Sequence, residues 1–264
     1  MATKTRIAWT DDTANFWMGC LKVSPGCANC YAEKLTRDLM GINVWGPPAT
    51  TPRQIVRGVY AKVRGYQAES ARGVSGILGP GKPYLVFVGS LMDWAEDHPT
   101  AERTRPAMWD LIRECPDVHF QMLTKRAERI EELLPDDWGD GYPNVWMGTS
   151  IENNEYTWRA DLLREIPAVV RFVSYEPALG PLAGSLDLEG IDWIIYGGES
   201  GPGHRREGVS TDPKVWARSM RKACRRAGVA FFHKQSSARW SETGVALDGA
   251  VVREFPTPRR GWRG

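Results

Sequence analysis

Three cysteines lie close together near the start of the chain, in the stretch MGCLKVSPGCANCYAEK (18–34). Cys20, Cys27 and Cys30 have the spacing C-x6-C-x2-C, and two thiolates in a C-x2-C segment can face one ion or cluster. Three thiolates suit a [4Fe–4S] cluster that leaves one iron open. They also suit zinc when a histidine or an acid supplies the fourth ligand. The spacing therefore predicts a metal site and leaves the choice of metal open.

Disulfide bonding, the other common use of clustered cysteines, is not indicated. Five cysteines are an odd number and few for 264 residues, and the opening MATKTRIAWTDD has no apolar secretory segment. No run approaches the roughly 18 apolar residues of a membrane helix. We expect a cytoplasmic protein with no membrane partner, in which thiols stay reduced. Cys115 and Cys224 fall on the faces of predicted helices and are interpreted as structural.

The elements that would position the cysteines alternate between strands and helices. Continuous apolar runs, typical of strands buried on both faces, cover 15–20, 84–90, 118–125, 144–150, 169–176, 192–200 and 229–235. Helical patterns cover 102–115, 125–134, 154–166 and 212–228. No helical pattern separates the runs near 172 and 194. This order predicts an α/β fold, and we favour a partial or full parallel (β/α) barrel over a doubly wound sheet.

The domain organisation follows from the same pattern. Residues 1–240 are predicted to form a single barrel-like domain, in which 41–83 is an irregular insertion with one helix from about 52 to 70. Residues 241–264 form a basic C-terminal tail. The net charge of +2 neither requires nor excludes a nucleic-acid partner.

Polar residues follow most of the predicted strands. The carboxyl ends of parallel strands meet at one edge of a sheet, and the cysteine loop follows the first strand, so these residues should line a pocket beside the cysteines. The residues are Ser90, Asp93, Thr124, Lys125, Arg126, Ser150, Glu152, Asn153, Ser174, Glu176, Glu199, Ser200, His204, Lys234 and Gln235. The glycines of YGGESG, Gly197 and Gly198, would let backbone approach a ligand closely.

A strand, a three-cysteine loop, a helix and then an incomplete parallel barrel resemble the radical S-adenosylmethionine (radical SAM) superfamily. The chain resembles more closely a family of phage and bacterial proteins with a three-cysteine motif, usually described only as phage proteins. The matching motifs are GCLKVSPGCANCYAEKL, VFVGSLMDW, FQMLTKRAER, NVWMGTSIEN, FVSYEPALGPL, DWIIYGGESGPGHR and FFHKQ. The resemblance favours a [4Fe–4S] cluster over zinc, and it implies SAM as a second cofactor.

Two features depart from the usual radical SAM pattern, which is C-x3-C-x2-C with an aromatic residue before the third cysteine. Here the first gap is six residues, and Asn29 stands before Cys30 while the aromatic residue, Tyr31, follows it. These differences affect SAM binding more than cluster ligation.

The resemblance also implies roles for the pocket residues, although it assigns no catalytic residue. The cofactor-binding set is Tyr31, Ser90, Asp93, Ser150, Glu152, Glu176, Gly197, Gly198 and Glu199. The set that would bind substrate or an anion is Lys125, Arg126, His204, Lys234 and Gln235.

These observations support three functional hypotheses. The first is an iron–sulfur enzyme of radical SAM-like type that modifies or repairs nucleic acid or nucleotides. The second is a zinc- or cluster-stabilised nucleic-acid-binding protein without redox catalysis, and the third is a component that acts only with a protein partner. Tryptophans beside arginines, at positions 45, 240 and 262, could stack on bases, and the tail arginines at 253, 259, 260 and 263 could contact an anionic partner.

Overall fold

The protein is built around a seven-stranded parallel sheet that curls into a half-barrel. The computed structural model describes residues 5–201, 203–205, 208 and 211–259. The strands, in chain order, are β1 (Asp12–Ala14), β2 (Trp17–Met18), β3 (Gln54–Ile55), β4 (Tyr84–Val88), β5 (Val118–Thr124), β6 (Val145–Ser150), β7 (Val170–Tyr175), β8 (Trp193–Gly197), β9 (Ala230–Gln235), β10 (Ala246–Leu247) and β11 (Ala250–Val251). The half-barrel has the order β1-β4-β5-β6-β7-β8-β9, so its six long strands are neighbours in both sequence and space.

Helices lie between the strands along the chain, and the longer ones cover the outside of the sheet. They are α1 (Tyr31–Lys34), α2 (Val59–Ala71), α3 (Pro99–Glu114), α4 (Trp158–Glu165) and α5 (Val215–Ala227), and a π-turn, Leu35–Leu39, continues α1. The buried sides of these helices, such as Met108, Leu163 and Met220, pack in one cluster with alternate strand residues such as Val86 and Phe120. The sheet face that these helices cover is therefore the convex one.

The concave face is filled by aromatic side chains. Trp146, Phe172, Trp193 and Phe232 alternate with the outward residues of their strands and pack around Trp9, which precedes β1. The ring centroids of Trp146 and Trp193 lie 6.0 Å apart in an edge-to-face arrangement, which is a favourable geometry for aromatic pairs. This aromatic layer forms the floor of the half-barrel, and polar residues occupy the carboxyl ends of the strands above it.

Six of the seven predicted strands are confirmed within a few residues, but the first lies earlier than predicted. The sheet strand is β1, whereas the apolar run 15–20 contains β2, which pairs antiparallel with β3. The strand β1 contains a buried carboxylate, which has two partners in the fold. Asp12 accepts a hydrogen bond from the Tyr66 hydroxyl and pairs with Lys62 at 3.0 Å. An apolar pattern could not indicate such a strand.

The helix predictions are confirmed in part. The segments 102–115, 154–166 and 212–228 contain α3, α4 and α5, and Gly228 ends α5 with a positive φ of 69°, as expected for a helix-terminating glycine. Residues 125–134 instead form two 3₁₀ turns, Ala127–Arg129 and Glu131–Leu133. The backbone at Arg126 is not helical, because its amide donates to the Thr124 hydroxyl at 2.9 Å.

The two regions predicted to lie outside the regular pattern both pack on the sheet. The helix expected within 41–83 is α2, and its buried residues Val63 and Tyr66 belong to the convex-face core. In the tail, Phe255 packs against Trp193 with ring centroids 5.3 Å apart. No helix among the described residues is both long and apolar enough to cross a bilayer.

Candidate metal centre and its cavity

The cysteine loop borders a cavity at the carboxyl ends of the strands. Cys20, Cys27 and Cys30 all line this cavity, which has a volume of about 330 Å³. All five cysteines are free thiols, so no disulfide competes for the sulfur atoms. The loop residues lie between β2 and α1, where the short helix Pro25–Cys27 turns the chain.

A buried carboxylate holds the middle of the loop. Glu152, which follows β6, is fully buried, and it accepts a hydrogen bond from the Ser24 hydroxyl at 2.5 Å. The same carboxylate pairs with Lys125 and with Arg159, each at 3.0 Å. Because two cations share one carboxylate, Glu152 is held from several directions. Ser24, between the first and second cysteines, is thereby tied to the sheet.

Arg126 holds the beginning of the loop. Its guanidinium donates to the Leu21 carbonyl at 2.9 Å and lies 3.5 Å from the Cys20 sulfur. It also pairs with Asp93 at 2.7 Å, and Asp93 in turn accepts from the Thr124 hydroxyl at 2.6 Å. The Cys20 sulfur therefore lies beside a positive charge that is itself fixed.

A second buried ion pair supports the same segment. Arg53 and Glu96 are both almost completely buried and make two charge-assisted hydrogen bonds, at 2.8 and 2.9 Å. Glu96 also accepts from the Leu21 amide at 2.8 Å. Arg53 comes from the segment 41–83, so that segment directly supports the cysteine loop.

The far side of the loop is held from β8. Glu199 accepts from the Asn29 side-chain amide at 3.0 Å and pairs with Arg205. Arg205 donates onward to the Pro25 carbonyl at 3.0 Å. Asn29, where the radical SAM pattern has an aromatic residue, thus has a structural partner. Tyr31 lines the cavity and donates to the Ser90 carbonyl at 2.8 Å.

Burial disfavours the ionisation of two of the loop thiols. Burial raises the pKa of the Cys20 thiol, and the Asp93 carboxylate adds to that shift while Arg126 opposes it. Burial also raises the pKa of Cys30. A bound metal would stabilise these thiolates, since metal ligation requires the deprotonated sulfur.

The network around Glu152 is ionised. Burial alone would raise the pKa of Glu152, but the Lys125 and Arg159 charges outweigh it and lower the pKa. Burial alone would likewise lower the pKa of Lys125, and the Glu152 carboxylate outweighs it and raises the pKa. Both shifts keep the pair charged.

The described side chains do not form a ready-made single-ion site. Within the part of the chain that the structure describes, no three His, Cys, Asp or Glu side chains are grouped so as to hold one metal ion. A zinc site would need such a group around one point. The three cysteines of the loop nonetheless line the same cavity.

The polar layer above the aromatic floor offers further ligand contacts. Ser150 and Ser174 are register partners on β6 and β7 and both line the cavity. Beside them, Glu176 pairs with Lys234 at 2.7 Å through one carboxylate oxygen. Its other oxygen is buried and has no hydrogen-bond partner among the described residues. A buried oxygen of this kind is available to a ligand that donates a hydrogen bond.

The structure brings most of the predicted site residues to this cavity. Those that line it are Cys20, Cys27, Cys30, Tyr31, Ser90, Asp93, Thr124, Lys125, Arg126, Ser150, Ser174, Glu176, Gly198, Glu199, Ser200, Lys234 and Gln235, whereas Asn153 does not. Glu152 lies behind the lining, and Gly197 lies below Glu176, where a Cβ would be 2.7 Å from a carboxylate oxygen. His204 does not line the cavity, and its Nδ1 lies 3.0 Å from the Gly201 carbonyl.

Sequence reasoning missed the residues that hold the loop. Glu96 and Arg205 hydrogen-bond to the loop, Ser24 and Arg159 bond to Glu152 behind it, and Arg53 pairs with Glu96; sequence reasoning did not single out Ser24, Arg53, Glu96, Arg159 or Arg205 as supports. Ser24 lies inside the motif, so its position could have drawn attention to it. The others lie outside the strand ends, and single-sequence patterns do not indicate their pairing.

The tail arginines within the described residues have partners in the fold. Arg259 pairs with Asp192 at 2.7 Å, and the Arg253 guanidinium lies 5.4 Å from the Phe232 ring centroid. Trp45 donates from its indole to the Thr36 hydroxyl at 2.6 Å. Arg260, Trp262 and Arg263 lie outside the described residues.

Gly26 provides a specific test of the loop packing. A Cβ at this position would lie 2.5 Å from a Glu152 carboxylate oxygen and 2.6 Å from its Cγ, and Glu152 cannot easily retreat because three partners hold it. We expect Gly26→Ala to lower the free energy of unfolding by about 1–3 kcal/mol, measured by urea denaturation.

Gly65→Ala is the matched control for this substitution. Gly65 lies in α2 with no atom within 4 Å of the added Cβ, so alanine there should be neutral or stabilise by up to about 1 kcal/mol. Equal stabilities of the two variants would show that the loop does not require glycine at 26.

Comparison with known proteins gives a family and no nearer relative. No curated protein and no solved structure matches the chain. The family described as a protein of unknown function, DUF5131, matches residues 4–256, nearly the whole chain, and the chain belongs to it.

Proposed function

We propose that this protein is an iron–sulfur enzyme of radical SAM-like type that acts on nucleic acid or nucleotides. One observation carries the proposal: three free thiols from a single loop line one cavity at the carboxyl edge of a parallel half-barrel. Ligand sites of α/β barrels are built at this edge. The resemblance of the motifs to those of radical SAM proteins supports a [4Fe–4S] cluster as the metal centre and SAM as a second cofactor.

In this proposal Cys20, Cys27 and Cys30 would hold a [4Fe–4S] cluster. Such a cluster supplies, when bound, an electron that cleaves the S–C5′ bond of SAM and yields a radical able to abstract hydrogen. The chain itself positions the ligands and excludes water. The buried ion pairs of Glu152, Arg126 and Arg53 fix the loop before any ligand arrives, which is the preorganisation that a metal site needs.

The remaining cavity residues would hold SAM and substrate. The free oxygen of Glu176 can accept a hydrogen bond from an amino group, and Lys234 beside it can donate to a carboxylate, a carbonyl or a phosphate. Glu152, Glu199 and Arg126 are already hydrogen-bonded to the cysteine loop, and Asp93 is paired with Arg126. Their proposed contribution to cofactor binding is therefore to support the cysteines rather than to contact SAM directly.

Anaerobic purification followed by reconstitution with iron and sulfide tests the proposal. We expect a brown protein with about four irons per chain, and with SAM and a strong reductant we expect 5′-deoxyadenosine in the product mixture. A colourless protein with one zinc would instead support the alternative of a zinc-stabilised nucleic-acid-binding protein. A complete cluster that yields no 5′-deoxyadenosine would remove the radical chemistry and leave the metal site.

A further inference from the structure

The loop that follows β9, residues 236–245, carries an exposed aromatic side chain. Trp240 is 67% exposed, more than any other aromatic residue that the structure describes. The Arg239 guanidinium lies 5.4 Å from its ring centroid, and Arg239 forms no ion pair with another described residue. An indole and a guanidinium are thus presented together to solvent.

This loop is fixed to the rest of the sheet. The Ala238 amide donates to the Glu199 carbonyl, and the Gly201 amide donates to the Ala238 carbonyl, each at 3.1 Å. The Glu242 amide donates to the Gln235 side chain at 2.6 Å. Trp240 is therefore exposed on a segment anchored to β9 and to the residues after β8, and its exposure does not come from a loosely attached loop.

The same loop forms part of the cavity wall. Ser241 and Glu242, the two residues after Trp240, line the cavity beside Glu176 and Lys234. A flat group that stacked on Trp240 would therefore lie at the rim of the cavity. The cavity itself, at about 330 Å³, is near the small end of ligand sites. Most of a nucleic-acid strand would therefore have to lie outside it.

We propose that Trp240 and Arg239 bind single-stranded nucleic acid, with an unpaired base stacked on the indole next to the nucleotide that enters the cavity. Stacking on an aromatic side chain needs a base with a free face, which a strand without its complement provides at every position. The guanidinium adds attraction to the base and to the phosphates. The role of the neighbouring nucleotide as substrate rests on the proposed function, whereas the binding itself does not.

Binding of a fluorescently labelled single-stranded oligonucleotide to the anaerobically purified protein tests this proposal. Base stacking contributes about 1–3 kcal/mol, so we expect Trp240→Ala to weaken binding by about 5- to 150-fold, while Trp240→Phe keeps most of the affinity. Arg239→Glu should weaken binding as well. The same sequence as a duplex should bind more weakly than the single strand to the wild type.

Trp158 gives a matched control. It is 40% exposed on α4, and the Arg159 guanidinium lies 5.6 Å from its ring centroid, but, unlike Trp240, it has no cavity-lining residue beside it in the chain. Trp158→Ala should bind the single strand like the wild type. Equal binding by Trp240→Ala and wild type, or equal losses for Trp240→Ala and Trp158→Ala, would overturn the proposal.

The two proposals fail in different ways. If the reconstituted protein cleaves SAM but binds no oligonucleotide, the stacking proposal is overturned and the radical chemistry stands. If oligonucleotide binding depends on Trp240 but SAM is not cleaved, the stacking proposal is supported and the enzymatic function is lost.

Discussion

Alanine at Cys20, Cys27 or Cys30 is expected to abolish most iron binding by the reconstituted protein. Each sulfur would supply the bond to a different iron, and no other cysteine of the described chain lines the cavity to replace it. Loss of an outer-shell partner of a metal ligand typically costs about 10- to 100-fold in metal affinity, so loss of a ligand should cost at least that much. Iron content per chain and the visible absorption spectrum measure the effect.

Cys224→Ala is the control for this series. Cys224 is a buried residue of α5 that packs in the convex-face core and does not line the cavity. It should cost some stability through the small space it leaves, while the iron content stays at the wild-type value. If the three loop variants retained as much iron as Cys224→Ala, the cysteine loop would not be the metal centre.

Glu152→Ala is expected to destabilise the fold by about 3–5 kcal/mol, the typical cost of leaving buried charges without their partner. The substitution removes the carboxylate that Lys125, Arg159 and Ser24 share, and Arg159 is itself only 2% exposed. Urea denaturation gives the change in the free energy of unfolding. The iron content should fall as well, because Ser24 would no longer be tied to the sheet.

Glu155→Gln serves as the comparison for Glu152. Glu155 is exposed three residues further along the chain, so its neutralisation should change the stability by no more than about 0.5 kcal/mol.

The contribution of Glu152 to the free energy of unfolding should also depend on pH. Its pKa is lowered in the folded state, so its contribution is complete above the ordinary glutamate pKa of about 4.3 and is lost as the pH falls through the folded value. A difference between wild type and Glu152→Gln that stayed constant down to pH 2 would contradict the ion-pair explanation.

The architecture could be predicted because the strands buried on both faces have continuous apolar sequences. Runs such as YLVFV in β4 and WIIYG in β8 stand out from the polar segments around them, and the helical patterns between several of the runs favour parallel pairing. The edge strand β1 could not be found in this way. It has only three residues, and its acidic Asp12 is compensated by Tyr66 and Lys62, which lie about fifty residues away in the sequence.

The cavity could be predicted for a similar reason, whereas the residues that hold the cysteine loop in place could not. Parallel strands end at one edge, so Glu176 and Lys234 could be expected near the cysteines from their positions alone. The bidentate pair of Arg53 and Glu96 joins an irregular segment to the turn after β4. No local sequence pattern indicates which charged residues, distant along the chain, form ion pairs. The sequence showed ionisable residues at the strand ends, but it could not separate those that bond to the loop from those that face the cavity.

The aromatic layer of the half-barrel lies at one end of the cavity. Trp9, Trp146 and Trp193 close the amino-terminal side, and Phe255 lies against them from outside. A ligand in the cavity would therefore lie with one side against aromatic rings, since Trp9 and Phe87 line it, and with the other side against the polar groups at the carboxyl ends of the strands.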